Sequence, residues 1–170
     1  MADAVPLIVS ALLGAEDFAW LDQLRRAHYP PERNRLPAHL TLFHHLPPSL
    51  AVELRQRLGD AVRAPRPQAE AAGLLDLGGG VAVRIVSPAL MALRDVLADF
   101  FGGLLVPQDA GGWRPHVTIQ NKVAPKMARE LRSSLERNFT RRPLTISGLG
   151  LHAYREGPWE TLATYPFRGS

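Results

Sequence analysis

The chain has 170 residues, twenty Lys and Arg against sixteen Asp and Glu, and no cysteine. This length suits one domain or two small lobes sharing a core, and 46% hydrophobic with 21% charged residues is a globular rather than a disordered composition. The missing cysteine excludes disulfide frameworks, cysteine–zinc and iron–sulfur sites and thiol nucleophiles, and it fits a reducing compartment such as the cytoplasm.

The net charge of +4 rests on eighteen arginines, with only Lys122 and Lys126 besides. That balance fits an anionic ligand, because guanidinium meets phosphate in a bidentate way, and it equally fits a compositional bias. No apolar run reaches the ~20 residues of a membrane span. The apolar start, Val5 to Leu13, lacks a basic flank and runs into Glu16-Asp17, against a signal peptide.

In chain order, residues 5–13 are apolar and partly β-branched, predicting a buried strand. Residues 15–28 put Phe18, Leu21 and Leu24 at helical spacing with acids in the first turn, predicting a helix. A Pro- and Arg-rich loop, 29–37, leads to the alternating stretch His39–Leu46, a strand. Pro47-Pro48-Ser49 starts a helix to about Arg63. Residues 69–77 and 81–87 read as two strands joined around Gly78-Gly79-Gly80. A helix over 88–101, a loop over 107–115, a strand over 116–123, a helix from Pro125 to about Phe139, and strands near 143–153 and 159–167 complete the chain.

The second half repeats the order of the first. His39 and His116 stand 77 residues apart, each after a helix and a proline-containing loop and each before a proline-opened helix. This predicts a single bilobal α+β domain built from a duplicated unit, approximately 1–79 and 80–170.

On a strand, His39, Thr41, Phe43 and His45 share one face, and so do His116, Thr118, Gln120 and Lys122. Polar fronts of this kind need water, a partner or a ligand. Facing each other across a pseudo-twofold cleft, they bring together two imidazoles and two hydroxyls. That set suits in-line displacement at phosphorus: one His takes the proton of the attacking water or hydroxyl, and the other protonates the departing oxygen. The threonines hold non-bridging oxygens, and arginine or Lys122 offsets their charge. Neither motif has a nearby carboxylate, so no metal is expected.

His39-Leu-Thr-Leu and His116-Val-Thr-Ile resemble the paired His-x-Thr-x signature of the 2H phosphoesterases, in the 2′-5′ RNA ligase-like branch that includes RNA 2′,3′-cyclic phosphodiesterases. In element order the resemblance spans essentially the whole chain. It implies two antiparallel sheets lining a central cleft with helices outside. It also implies hydrolysis of 2′,3′-cyclic phosphate ends of RNA or nucleotides without metal or cofactor. His39 and His116 are then the catalytic pair, with His39 as acid and His116 as base, and Thr41 and Thr118 hold the phosphate. The branch name points to a reverse joining reaction, and hydrolysis is the reading preferred. A small nucleotide-derived cyclic phosphate, or a binding module without turnover, are the alternatives, and a monomer is expected.

Further substrate contacts are expected at Phe43, His45, Gln120 and Lys122 on the motif fronts. Arg114 is another, in a loop that is either a lid or, through Trp113, a core wedge. Tyr154 and Trp159, beside the last hairpin turn, complete the set. His44 points backward and is read as structural, and the glycine triplet lacks the Lys-Ser/Thr of a phosphate loop.

Overall fold

The computed structural model describes residues 5–169. β1 (Leu7–Leu13) is buried along its first five residues. α1 (Ala15–His28) has Glu16 and Asp17 in its first turn and Arg25, Arg26 and His28 in its last, matching the helix dipole at both ends. β2 (Leu40–Leu46) and α2 (Ala51–Ala61) follow, with a 3-10 turn at Pro48–Leu50 between them. β3 (Gln68–Asp76) and β4 (Val81–Val86) form the expected hairpin, with Gly78 at φ +81° in its turn. α3 (Pro88–Phe101) is capped by Ser87, whose hydroxyl accepts the Leu90 N–H at 3.2 Å. α4 (Pro107–Ala110), β5 (His116–Gln120), α5 (Pro125–Glu136), β6 (Arg142–Tyr154) and β7 (Trp159–Pro166) complete the order.

Several boundaries differ from expectation, two of them beside the second motif. The loop over 107–115 opens with the single turn α4, and the second motif strand stops at Gln120 rather than Val123. Lys122 takes a left-handed φ of 63°, which no strand accommodates.

The strands lie in the order β2-β1-β6-β3-β4-β5, with β7 also on β6, and every pairing between them is antiparallel. Exchanging β1, β2 and β3 for β4, β5 and β6 gives the same order read backwards, which is the pseudo-twofold of the α+β fold. β6 serves both halves: residues 146–153 pair with β1 and residues 142–145 with β3. The outermost strands, β2 and β5, approach within 8 Å at their Cα atoms, which brings the two motif strands close to each other.

Both motif strands carry the same irregularity. On β2, Thr41 pairs with Ser10 but Phe43 pairs with Val9, leaving Leu42 as an extra residue. On β5, Thr118 pairs with Ala82 but Gln120 pairs with Val81, leaving Ile119. A bulge at this point reverses the alternation beyond it. Phe43 and Gln120, expected on the polar fronts, therefore turn to the core face with Val9 and Val81. Phe43 is fully buried, edge-on to Phe101 with centroids 6.4 Å apart and the Arg94 guanidinium 4.4 Å over its ring. Gln120 is 3% exposed, and its Oε1 has no hydrogen-bond partner among the described residues.

Candidate active site

The two imidazoles are held in the same way. His39, just before β2, donates from Nδ1 to the carbonyl of Pro37 at 2.8 Å; His116, opening β5, donates from Nδ1 to the carbonyl of Arg114 at 2.6 Å. A carbonyl only accepts, so in both rings Nδ1 carries the proton and Nε2 is the atom left for chemistry. Both side chains are half-buried. Burial, above all, pushes the His39 pKa down to about 4. The bond to Pro37 works against that shift, and the nearby charges of Arg25, His44 and His116 add to it. His116 is thus close enough to act on His39 electrostatically.

The threonine of each motif is anchored by the opposite half. The Thr41 carbonyl accepts Trp113 Nε1–H (3.1 Å) from the loop that leads into β5. The Thr118 carbonyl accepts Arg25 Nη1–H (2.9 Å) from α1, the helix before β2. These reciprocal bonds brace the two motif strands against each other. A buried cluster reinforces the first brace. The Asp109 carboxylate, 1% exposed, accepts the backbone N–H of His44 on both oxygens at 2.9 Å, that of His45 at 3.0 Å, and His44 Nδ1 at 3.0 Å. Arg94 spans the carbonyls of Leu42 (3.1 Å) and Asp109 (2.7 Å).

A third histidine, His152, shares a cavity with His39. His152 Nε2 and Ser10 Oγ are 2.7 Å apart, and His152 Nδ1 and Thr161 Oγ1 are 3.0 Å apart. Burial lowers its pKa. Gly150 makes this pair possible, since a Cβ there would stand 2.7 Å from His152 Nε2. Trp159 packs on both rings, with centroids 4.7 Å from His39 and 5.1 Å from His152. His39, His152, Ser10, Thr161 and Trp159 border a cavity of about 300 Å³, closed on its apolar side by Phe18, Leu36 and Pro158.

The remaining expected contacts divide. Trp159 borders the His39 cavity, and Tyr154 and Lys122 line an adjoining groove. Arg114 is exposed and borders a separate cavity of about 290 Å³ with Trp113 and Met91; the Trp113 bond to Thr41 makes that loop a brace rather than a lid. His45 is exposed at the surface, and its backbone N–H is tied to Asp109. His44, read as backward-pointing and structural, is exposed too, with its Nδ1 on the buried Asp109 carboxylate. Composition gave no sign of Arg25, Asp109 or His152; only contacts between elements distant in sequence bring them together.

Among solved structures, the chain is similar to TT0787 of Thermus thermophilus, with 16% identity, a TM-score of 0.62, and 97% of this chain and 99% of that one covered. It is similar to E. coli LigT complexed with 3′-AMP, at 18% identity and a TM-score of 0.59 over 97% and 99% of the two chains. A structure described as a phosphoesterase matches at 19% identity and a TM-score of 0.54, over 96% and 98%. At these identities the matches show the fold. Comparison with curated protein sequences returns no match. The model of the 2′-5′ RNA ligase superfamily matches residues 14–158. The chain, with its two His-x-Thr-x motifs on strands that approach each other, belongs to the 2′-5′ RNA ligase superfamily of 2H phosphoesterases.

Proposed function

We propose that the chain hydrolyses 2′,3′-cyclic phosphate ends of RNA or nucleotides with His39 and His116 as the proton-transfer pair and no metal ion. The observation that carries this reading is the matched tethering of the two rings: each Nδ1–H is fixed on a carbonyl two residues back, each Nε2 is left free, and a threonine follows at the second position. Among the described residues no three His, Asp or Glu side chains cluster as a metal site. The palindromic strand order supports a single bilobal domain with repeats 1–79 and 80–170.

In this reading the cyclic phosphate lies between the two Nε2 atoms, its non-bridging oxygens on the hydroxyls of Thr41 and Thr118. Water attacks phosphorus and gives its proton to one imidazole. The bond from phosphorus to one ribose oxygen breaks, and that oxygen takes a proton from the other imidazole. The products are a phosphomonoester and a free hydroxyl, and the pair has exchanged protonation states. The resemblance gave His39 the role of acid. The electrostatics of the free protein favour the reverse, because a ring with a pKa of about 4 is unprotonated at neutral pH and ready to accept. His116 is then the acid.

Bis(p-nitrophenyl) phosphate tests the direction, since its leaving group needs no proton. His116→Ala retains turnover of this ester while losing that of the cyclic phosphate, and His39→Ala loses both. The opposite pattern returns His39 to the acid role. Turnover of adenosine 2′,3′-cyclic phosphate by the unaltered protein in excess EDTA tests the reaction class, and its absence from folded protein rejects the proposal.

A further inference from the structure

Beside the His39 cavity lies a groove of about 400 Å³ walled by Arg25, Arg33, Arg35 and Lys122. Arg35 and Leu36 border both spaces, so the two adjoin. Among the described residues none of these four cations is ion-paired. Two acids, Glu32 and Glu156, also line the groove, which leaves it net positive.

Arg25 is the most telling of the four. It is 4% exposed, yet its Nε and Nη1 donate to neutral oxygens, Asn34 Oδ1 and the Thr118 carbonyl, both at 2.9 Å. Its guanidinium carbon lies 4.2 Å over the Tyr29 ring. Asp22, a carboxylate that acts on it through space, is paired with Arg26 at 3.2 Å and accepts the Ala38 N–H at 2.9 Å. Burying a cation with no carboxylate bonded to it is costly, and an oxyanion entering the groove relieves that cost. Guanidinium forks favour phosphate for this role.

Building on the reading of the neighbouring histidines as the reacting centre, we propose that this groove binds a second, unreactive phosphate of the substrate. The preferred substrate is then a nucleotide cyclic phosphate with another phosphate attached, either a 5′-phosphate or the next phosphodiester of an oligonucleotide. A nucleoside 2′,3′-cyclic phosphate fills the reacting centre and leaves the groove empty.

The test compares KM for adenosine 2′,3′-cyclic phosphate, its 5′-phosphorylated form and a diadenosine ending in the cyclic phosphate, at one low salt concentration. The proposal expects KM at least about tenfold lower when the second phosphate is present. Preference for both longer compounds supports the proposal and assigns the groove to any phosphate; preference for the dinucleotide alone supports it and assigns an oligonucleotide. Arg33→Ala and Lys122→Ala shrink the ratio. Glu32→Gln enlarges it, a gain that misfolding does not produce, and Arg66→Ala, an exposed charge outside the groove, controls for net charge. Equal KM for all three, with turnover, overturns the groove assignment and leaves the hydrolytic reading standing. No turnover of any overturns that reading instead. Calorimetry with adenosine 2′-monophosphate and 2′,5′-bisphosphate then judges the groove alone: tighter binding of the bisphosphate supports it, and equal affinity overturns it.

Discussion

Asp109 is the point at which removing one carboxylate loosens the hold of the second motif's loop on the first motif's strand. In Asp109→Ala the backbone N–H groups of His44 and His45 and the His44 ring lose their acceptor, at a position 1% exposed. An unsatisfied buried donor costs about 1–3 kcal/mol. Two of them, eased by water reaching the exposed rings of His44 and His45, give about 3 kcal/mol. For a chain of this size that lowers Tm by about 6–12 °C. Asp109→Asn keeps one acceptor oxygen and loses about half as much. Circular-dichroism melting at pH 7 measures both, and the same variants lower kcat/KM because Trp113 and His116 follow on that loop. Burial works to raise the Asp109 pKa, but the hydrogen bonds from the His44 ring and the His44 and His45 N–H groups outweigh it and hold the pKa below the usual carboxylate value. The stabilisation is therefore complete above that usual value and is lost as pH falls through the lowered one, so the alanine variant is less acid-sensitive than the parent. A Tm change under about 2 °C, or equal losses for alanine and asparagine, refutes the brace.

Three further outcomes follow from the same geometry. Gln120→Met removes a buried oxygen without a partner and raises Tm by about 2–6 °C; a fall shows that the amide is satisfied in solution. The folded-state pKa of His39, about 4, lies below its unfolded value near 6.5, so the unfolded chain binds more protons between them. Stability therefore declines as pH drops from 6.5 to 4, and His39→Ala flattens that decline in urea titrations; an unchanged slope refutes the shift. Trp159→Ala opens the cavity wall and exposes His39, raising its pKa in NMR titration and KM by about tenfold; an unmoved His39 resonance refutes the contact.

The element order, the duplicated α+β plan and both motif strands were legible because helical spacing, proline starts and glycine turns are local signals. The side of the sheet reached by Phe43 and Gln120 was not. Strict alternation puts them beside the threonines, and the bulges at Leu42 and Ile119 are set by pairing with β1 and β4, partners distant in sequence. Lys122 was misplaced on the strand because a left-handed residue leaves little mark in composition. His152 went unnoticed because its meaning lies in Ser10 and Thr161, on neighbouring strands. Arg25 was hidden as one arginine among eighteen; its burial and its hold on Thr118 emerge only when α1 crosses to β5.

The measurement that bears most directly on the central claim is kcat/KM for a cyclic-phosphate-ended oligonucleotide in excess EDTA, for the parent, His39→Ala, His116→Ala and the double variant, each with its melting curve. A lost acid or base predicts a fall of about 10²–10⁴-fold in each single variant, with parent-like melting above pH 7. Because the pair acts as a unit, the double variant falls little further. Turnover that survives either single substitution, or that disappears from the parent when EDTA is added, contradicts the two-histidine account.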